Sequence, residues 1–246
     1  MGLMASKKPL PDKLAVLVER ARQLGTFAAV FYTVRPYLAK AGLTLTPFYY
    51  AMETLGPGGG AEAAPLPDGF AFSVFGPEDI AVIAAHPERA SYVSADYVLD
   101  NHRSGDTCIG LKRQGVIAAF CWFSLEANRA KGSPVRMGAH EAYLYDLYVF
   151  EAFRGRHLAL ALRHKTYEML RGLERTVFYT VTEYANTASM RFKQRLGARV
   201  LFLGLAVRVF GRYHWTLVLK RSPGTEARGR SKDPDAGTAR SRSSED

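Results

Sequence analysis

The stretch V-F-E-A-F-R-G-R-H-L-A, residues 149–159, is an apolar strand that runs into a short basic turn and then at once into a helix. The backbone N–H groups of such a turn point outward without partners, and the dipole of the helix adds partial positive charge behind them. Arg154 and Arg156 add full charges beside Gly155. The stretch therefore predicts a binding site for a phosphate or diphosphate, with a solvated helix start as the alternative.

The residues after this turn alternate between helix and strand patterns. Residues 158–173 place leucines on one face of a predicted helix and charged residues, Arg163 among them, elsewhere. T-V-F-Y-T-V-T, residues 176–182, is typical of a strand because β-branched and aromatic residues dominate it. Asn186 and Gly197 then fit the two ends of a short helix. A diphosphate site beside a strand end in this setting indicates a nucleotide-type cofactor.

These residues resemble the GNAT superfamily of acyl-CoA N-acyltransferases over residues 70–220. The pyrophosphate loop of that family reads Gln/Arg-x-x-Gly-x-Gly/Ala, and Arg154, Leu158 and Ala159 fit this frame. His157 stands where the family usually has Gly, so its side chain either crowds the diphosphate or donates a hydrogen bond to it. Asn186 and the helix that ends in L-G-A resemble the second cofactor motif of the family.

The resemblance implies an α/β fold with mixed α and β elements: a central mixed, mostly antiparallel sheet flanked by helices. It also implies that L-Y-D-L-Y-V-F, residues 144–150, is a splayed strand that carries the pantetheine of acetyl-CoA or another acyl-CoA. We expect no metal, because the chain has no zinc-type cluster. The cofactor-binding residues implied are Leu147, Tyr148, Val149, Arg154, Gly155, Arg156, His157, Leu158, Ala159 and Asn186.

Acyl transfer to an amine needs a base and a group that stabilises the oxyanion. Asp146 is the first candidate base, because the apolar neighbours in its strand would desolvate the carboxylate. The alternative is that Asp146 pairs with a nearby Arg or accepts hydrogen bonds from the backbone. Glu141, at the expected start of the strand, is the second candidate.

Many family members use a Tyr in the helix after the Asn as general acid to the leaving thiolate. That place is Phe192 here, and a phenyl ring cannot donate a proton. Tyr184, just before the helix, is a candidate substitute. The remaining alternative is that the thiolate departs without an acid.

The resemblance thus implies an enzyme, a GNAT-type N-acyltransferase, that moves an acetyl or longer acyl group from coenzyme A or acyl carrier protein to an amine of a small molecule or protein. Because His157 and Phe192 depart from the family pattern, a non-catalytic acyl-CoA-binding module on the same fold stays open. A third hypothesis is a nucleic-acid or membrane-surface binder, because residues 151–220 carry 13 basic and 4 acidic side chains in a chain of net charge +10. The absence of a recognised RNA-binding motif disfavours nucleic acid.

Composition divides the 246 residues into four parts. Residues 1–55 predict an N-terminal helical extension that begins with L-A-V-L-V-E-R-A-R and in which Pro36 would kink or end a helix. Residues 56–69 are rich in Gly and Pro and predict a linker. Residues 70–220 form the predicted acyltransferase domain, and residues 221–246 form a predicted disordered tail.

The aromatic cluster Phe48, Tyr49 and Tyr50 has two interpretations. It either packs against the main domain, or it forms a lid for a greasy substrate or a membrane face. No apolar run is long enough to span a bilayer, and the N-terminus lacks a signal-peptide pattern. We therefore expect a cytoplasmic protein, with peripheral membrane contact left open.

The two cysteines lie on either side of a predicted hairpin that turns at Gln114 and Gly115. If Arg113 pairs with Val116, residue 108 falls opposite residue 121, and a cross-strand disulfide is geometrically conceivable. Two reduced, buried thiols at Cys108 and Cys121 are favoured for a cytoplasmic chain.

Overall fold

The structure is a computed structural model that describes residues 26–54, 65–126 and 137–223. The first predicted helix, most of the predicted linker and most of the predicted tail lie outside these residues. The helices are α1 (Thr26–Lys40), α2 (Pro77–Ala85), α3 (Pro87–Ala90), α4 (Ala95–Arg103), α5 (Leu158–Gly172) and α6 (Thr187–Arg195). The strands are β1 (Leu43–Thr54), β2 (Phe70–Val74), β3 (Thr107–Arg113), β4 (Val116–Ser124), β5 (Glu141–Val149), β6 (Val177–Glu183), β7 (Arg199–Val209) and β8 (Tyr213–Arg221).

The eight strands form one sheet in the order β2-β3-β4-β5-β6-β1-β7-β8. Neighbouring strands are antiparallel except β5 and β6, which run parallel. The predicted fold class, a mixed and mostly antiparallel sheet flanked by helices, is confirmed.

Alternate residues of β4 divide the core between the two faces of the sheet. Trp122 packs in one cluster with Ile80 of α2, whereas Cys121 packs in another with Leu162 of α5. Because successive residues of a strand point to opposite faces, α2 and α5 cover opposite faces of the sheet.

Strand β1 corrects the predicted N-terminal extension. We expected helix throughout residues 1–55, but Leu43–Thr54 is a strand that pairs with β6 on one side and β7 on the other. Met52 and Glu53 favour a helix. The residues before them alternate Leu and Thr and then include aromatic residues, and this pattern favours a strand. Hydrogen bonding along both edges outweighs the local helix preference. Helix α1 is present, and it continues through Pro36 to Lys40.

The aromatic residues of β1 pack inside the protein. Phe48 and Tyr50 are buried, and the ring of Tyr50 stacks on that of Phe202 at 4.9 Å between centroids. Tyr49 stacks on Tyr184 with centroids 5.3 Å apart. The packing interpretation is confirmed for Phe48 and Tyr50, and the lid interpretation is wrong for these two side chains because neither is exposed.

The predicted hairpin is present, and Arg113 does pair with Val116. A register shift after Leu111 moves the pairing by one residue, so Cys121 lies opposite Ile109 and Cys108 lies opposite Trp122. The two cysteines consequently enter different core clusters as free, buried thiols. The conceivable disulfide is thus excluded by a β-bulge, and the favoured pair of thiols is confirmed. Across the described residues, no helix has the length and apolar character that crossing a membrane requires.

Candidate active site

The pairing of β5 with β6 ends at Leu144 and Thr180. Beyond this pair, β5 follows β4 to Val149 and β6 follows β1 to Glu183, so the two strands diverge. A cavity of about 670 Å³ occupies the fork, and its wall includes residues 144–149 and 180–183. β5 therefore has the geometry expected of a splayed strand, with the edges of both strands facing the cavity.

A β-bulge lies in the wall of this cavity. Asp146 and Leu147 stand opposite the single residue Cys121, because the register of β4 and β5 shifts between Phe120 and Trp122. Asp146 has a φ of 48°, in the left-handed region that non-glycine residues rarely adopt. A bulge leaves backbone groups outside the ladder, and such backbone positions concentrate at functional sites.

Asp146 is held by Arg89 of the short helix α3. Arg89 Nη2 donates to Asp146 Oδ2 at 2.6 Å, and both side chains line the cavity. Arg89 is buried, with its guanidinium 4.8 Å from the ring centroid of Tyr148. Burial raises the pKa of the Asp146 carboxyl above its usual value, and the Arg89 guanidinium opposes that rise. The ion pair that the sequence left open is therefore present, beside a carboxylate at the cavity surface.

Tyr148 connects α3 to residues 154–159, which we call the basic loop, through its hydroxyl. It donates to Glu88 Oε2 at 3.0 Å and accepts from Arg154 Nη2 at 3.3 Å. Arg154 Nε also donates to the carbonyl of Val149 at 3.2 Å, and the amide of Glu151 donates to Glu88 Oε2 at 3.0 Å. Desolvation of Glu88 is outweighed by these hydrogen bonds, so the pKa of its carboxyl is lowered. The network fixes the start of the loop against β5.

The loop at residues 154–159 has the backbone of an anion site. Gly155 and His157 have φ values of 77° and 56°, and α5 starts directly afterwards at Leu158. Within the described residues, no hydrogen bond engages the amides of residues 155–159, and the loop lines a concavity of about 310 Å³. The left-handed conformation of His157 gives a physical reason for the glycine that the family pattern has there. The residues present therefore fit a diphosphate group.

Asn186 begins α6, as the sequence predicts. Its Oδ1 accepts from the amide of Ser189 at 3.0 Å, so the side chain caps the helix. Both residues line the cavity, as do Leu147, Tyr148, Val149, Arg154 and Ala159. The fork thus gathers most of the residues that the family resemblance implies for the cofactor, and the loop concavity holds the rest.

Two candidate catalytic residues lie away from the fork. Glu141 is at the opposite end of β5, where it accepts hydrogen bonds from the amide of Gly138 and the hydroxyl of Tyr179. Tyr184 stacks on Tyr49 and, like Glu141, is not part of the cavity wall. Phe192 does line the cavity.

A buried polar cluster that the sequence did not predict lies under α5 and α6. Tyr167 donates to Glu53 Oε2 at 2.5 Å, and Arg163 Nε lies 3.8 Å from the same oxygen. Lys193 is 4% exposed, and burial lowers the pKa of its amine to about 7 despite the nearby Glu53 carboxylate. Arg163 and Lys193 belong to the cavity wall. The helical pattern predicted that Arg163 lies outside the apolar face of α5. Only the position of β1 in the sheet shows that Glu53 comes close to Arg163.

The described residues contain no group of three or more His, Cys, Asp or Glu side chains able to hold a metal ion. The cavity wall presents the carboxylates of Asp146 and Glu183, the buried basic side chains of Arg89, Arg163 and Lys193, and the backbone of the bulge.

Residues 77–198 match the family model described as "Acetyltransferase (GNAT) family". The chain contains a GNAT domain. This domain covers α2 to α6 and thus the whole basic loop and bulge, whereas β1, which supplies Glu53, lies outside the matched residues. No curated protein shows significant similarity to the chain.

Solved structures with this fold resemble the chain at low identity. A Drosophila protein aligns with a TM-score of 0.51 and 18% identity, covering 74% of this chain and 58% of that one. The tandem GNAT protein of the clavulanic acid biosynthesis pathway aligns with a TM-score of 0.47 and 16% identity, covering 76% of this chain and 58% of that one. A GCN5-related N-acetyltransferase from Sphaerobacter thermophilus aligns with a TM-score of 0.44 and 14% identity, covering 78% of this chain and 57% of that one. The chain thus spans less than two thirds of each of these structures, and the first similarity supports the fold of the GNAT domain.

Proposed function

We propose that the GNAT domain transfers an acyl group from an acyl-CoA to an amine of a small molecule or protein. The observation that carries the proposal is the fork between β5 and β6, which has the bulge at Asp146 in its wall and the basic loop at its open end. A single extended molecule with a diphosphate at one end and a thioester further along matches these two features.

The free amides of residues 155–159, with Arg154 and Arg156, would hold the diphosphate. The pantetheine would lie along Leu147–Val149, with Asn186 on the opposite wall of the fork. The thioester carbonyl would then lie at the bulge, where a main-chain N–H can polarise it and stabilise the oxyanion. Residues 144–149 would orient the donor as a rigid strand wall.

In the reaction, the amine nitrogen attacks the thioester carbon, the C–S bond breaks, and an amide and a thiolate form. The amine loses one proton and the thiolate gains one. Asp146 is our candidate for the group that accepts the amine proton, because its carboxyl group lies at the bulge and Arg89 opposes the rise in its pKa that burial causes. Phe192 cannot donate, so we propose that the thiolate departs before solvent protonates it.

Thermal-shift measurements with coenzyme A and acetyl-CoA test donor binding, since a ligand that binds the native state raises the melting temperature. Arg154→Glu should remove most of the shift, because it places negative charge against the diphosphate. Arg171→Glu, on the exposed last turn of α5, is a control that makes the same change of charge. An unchanged shift in Arg154→Glu would place the coenzyme elsewhere.

Turnover separates the enzyme from a non-catalytic binding module. Release of free thiol from acetyl-CoA should depend on an added amine, and a panel of small amines and peptide N-termini would identify the acceptor class. Binding of acyl-CoA without release of thiol for any amine would favour the binding module. A shift with short RNA, and none with coenzyme A, would contradict both hypotheses.

A further inference from the structure

The cavity in the fork ends at a wall that carries two buried basic side chains. Arg163 comes from α5 and Lys193 from α6, and each residue is less than 5% exposed. Thr180, the last residue of β6 that pairs with β5, completes this wall. Glu53 is not part of the cavity wall.

The hydrogen bonds of this cluster are incomplete. Glu53 is the carboxylate whose charge acts on Lys193, and one of its oxygens already accepts a hydrogen bond from the hydroxyl of Tyr167. Its distance of 3.8 Å from Arg163 Nε is too long for a hydrogen bond. Within the described residues, Arg163 Nε and Nη1, Thr180 Oγ1 and Glu53 Oε1 are buried without hydrogen-bond partners. Because a buried guanidinium that lacks hydrogen bonds is costly, an acceptor brought to the cavity wall would stabilise Arg163.

The position of this wall fixes which part of a ligand would reach it. The basic loop lies at the open end of the fork, and the pair of Leu144 and Thr180 closes the other end. The bulge lies between them, and Cys121, opposite the bulge, is close enough to Arg163 and Lys193 for their charges to act on its thiol. A donor with its diphosphate at the loop and its thioester at the bulge therefore directs its acyl group toward the cations.

We propose that the acyl group of the donor ends in a carboxylate, which Arg163, Lys193 and Thr180 hold at the closed end of the fork. This inference rests on the proposed acyltransferase function and narrows its donor to short dicarboxylic acyl-CoA thioesters. A carboxylate supplies the acceptor that the guanidinium lacks, and a planar guanidinium matches it with two parallel donors.

Binding of two thioesters and of free coenzyme A tests the proposal without turnover. Isothermal titration should give a dissociation constant for succinyl-CoA about tenfold or more below that for butyryl-CoA, which lacks the carboxylate. Arg163→Met should reduce this ratio to near one, while coenzyme A itself binds as before. Lys165→Met, on the exposed side of the same helix, is the matched control and should keep the ratio.

Arg163→Met leaves Glu53 without its guanidinium and is expected to lose stability, so Lys193→Met is the second variant. It removes one cation, keeps Arg163 beside Glu53, and should also reduce the ratio. Equal or tighter binding of butyryl-CoA to the wild type, or a preference for succinyl-CoA that survives in both variants, overturns the inference and leaves the proposed function intact. Failure of coenzyme A to bind the wild type would instead overturn the proposed function.

Discussion

Arg89 Nη2 and Asp146 Oδ2 lie 2.6 Å apart and join a four-residue helix to the bulge of a central strand. The pair links residues 57 positions apart, and it fixes the carboxylate at the only left-handed residue among those that β5 contributes to the cavity wall. Arg89 thus both orients the carboxylate and opposes the pKa rise that burial causes.

Asp146→Asn should lower turnover at neutral pH by about 10²-fold or more, because the amide keeps the shape but cannot accept a proton. Binding of coenzyme A should persist, since the loop at residues 154–159 is unchanged. Steady-state thiol release and titration calorimetry measure the two effects separately. Asp100→Asn, in an exposed ion pair, is the control. Turnover within a few-fold of wild type would reject the role of Asp146 as base.

Arg89→Met should move the acidic limb of the pH–rate profile to higher pH. Arg89 lowers the pKa of the Asp146 carboxyl, so its removal leaves the effect of burial unopposed and the carboxyl stays protonated to higher pH. The profile of kcat/KM from about pH 4 to about pH 9 measures the shift, because this range runs from the usual pKa of an Asp carboxyl to above neutral pH. Arg103→Met, on the exposed end of α4, should leave the limb in place. A limb that stays or moves to lower pH contradicts the prediction.

Lys193→Met should stabilise the protein most at low pH. The native amine has a pKa of about 7, whereas the unfolded chain holds this proton to a pH near 10.5. Between these values the unfolded state binds more protons, so this residue makes stability rise with pH. Below pH 7 the native state bears the full cost of burying the charged amine. The free energy of unfolding of the variant should therefore exceed that of wild type by at least about 1 kcal/mol there. The gain should vanish near pH 10.

Urea unfolding of Lys193→Met and wild type at pH 6, 8 and 9.5, chosen to lie on both sides of that pKa, measures the difference in their free energies of unfolding. The charges that act on Lys193 are those of Glu53, Arg163 and Cys121, and the pKa of the Cys121 thiol is raised to about 11, above this window. Lys165→Met should differ from wild type by the same amount at each pH. A difference in free energy of unfolding between Lys193→Met and wild type that is constant or grows with pH would contradict a lowered pKa at Lys193.

Removal of residues 224–246 should leave the melting temperature and turnover within experimental error. This stretch has the Ser, Gly and charged composition of a chain that buries no apolar surface. The cut follows Ser222, whose amide donates to the carbonyl of Leu201 at 2.9 Å, so the end of β8 is kept. A large loss of either property would show that the tail docks on the domain.

The parts of the site that local sequence determines were the ones that could be predicted. Gly155, the strand before it and the helix after it lie within a few residues of one another, and so do Asn186 and the helix that it caps. Turn chemistry, capping and periodicity act over such short ranges. The hairpin at Gln114 is another example, since both residues of its turn have positive φ.

The parts that could not be predicted depend on pairing between distant segments. Glu53 meets Tyr167 across 114 positions because β1 pairs with β6, and nothing in the pattern around Glu53 indicates that partner. The separation of Cys108 from Cys121 depends on one bulge in a hairpin whose turn was predicted correctly. Arg89 was also missed, because a charged residue two positions after a proline looks like an ordinary solvated helix start.

The place of β1 between β6 and β7 has a consequence for the order in which the molecule can assemble. On the ribosome, β1 is made first, yet the strands that flank it are completed only after residue 209 has been added. Both edges of β1 lack a partner until β6 ends at Glu183, and the edge toward β7 lacks one until Val209. The ladder between β1 and β6 closes a loop of more than a hundred residues. The β7–β8 hairpin reaches the rest of the sheet through β1, so β1 connects this hairpin to the other strands late in folding. Such distant pairing is slow, and mutations in β1 should therefore reduce the yield of folded protein more than mutations in the β3–β4 hairpin do.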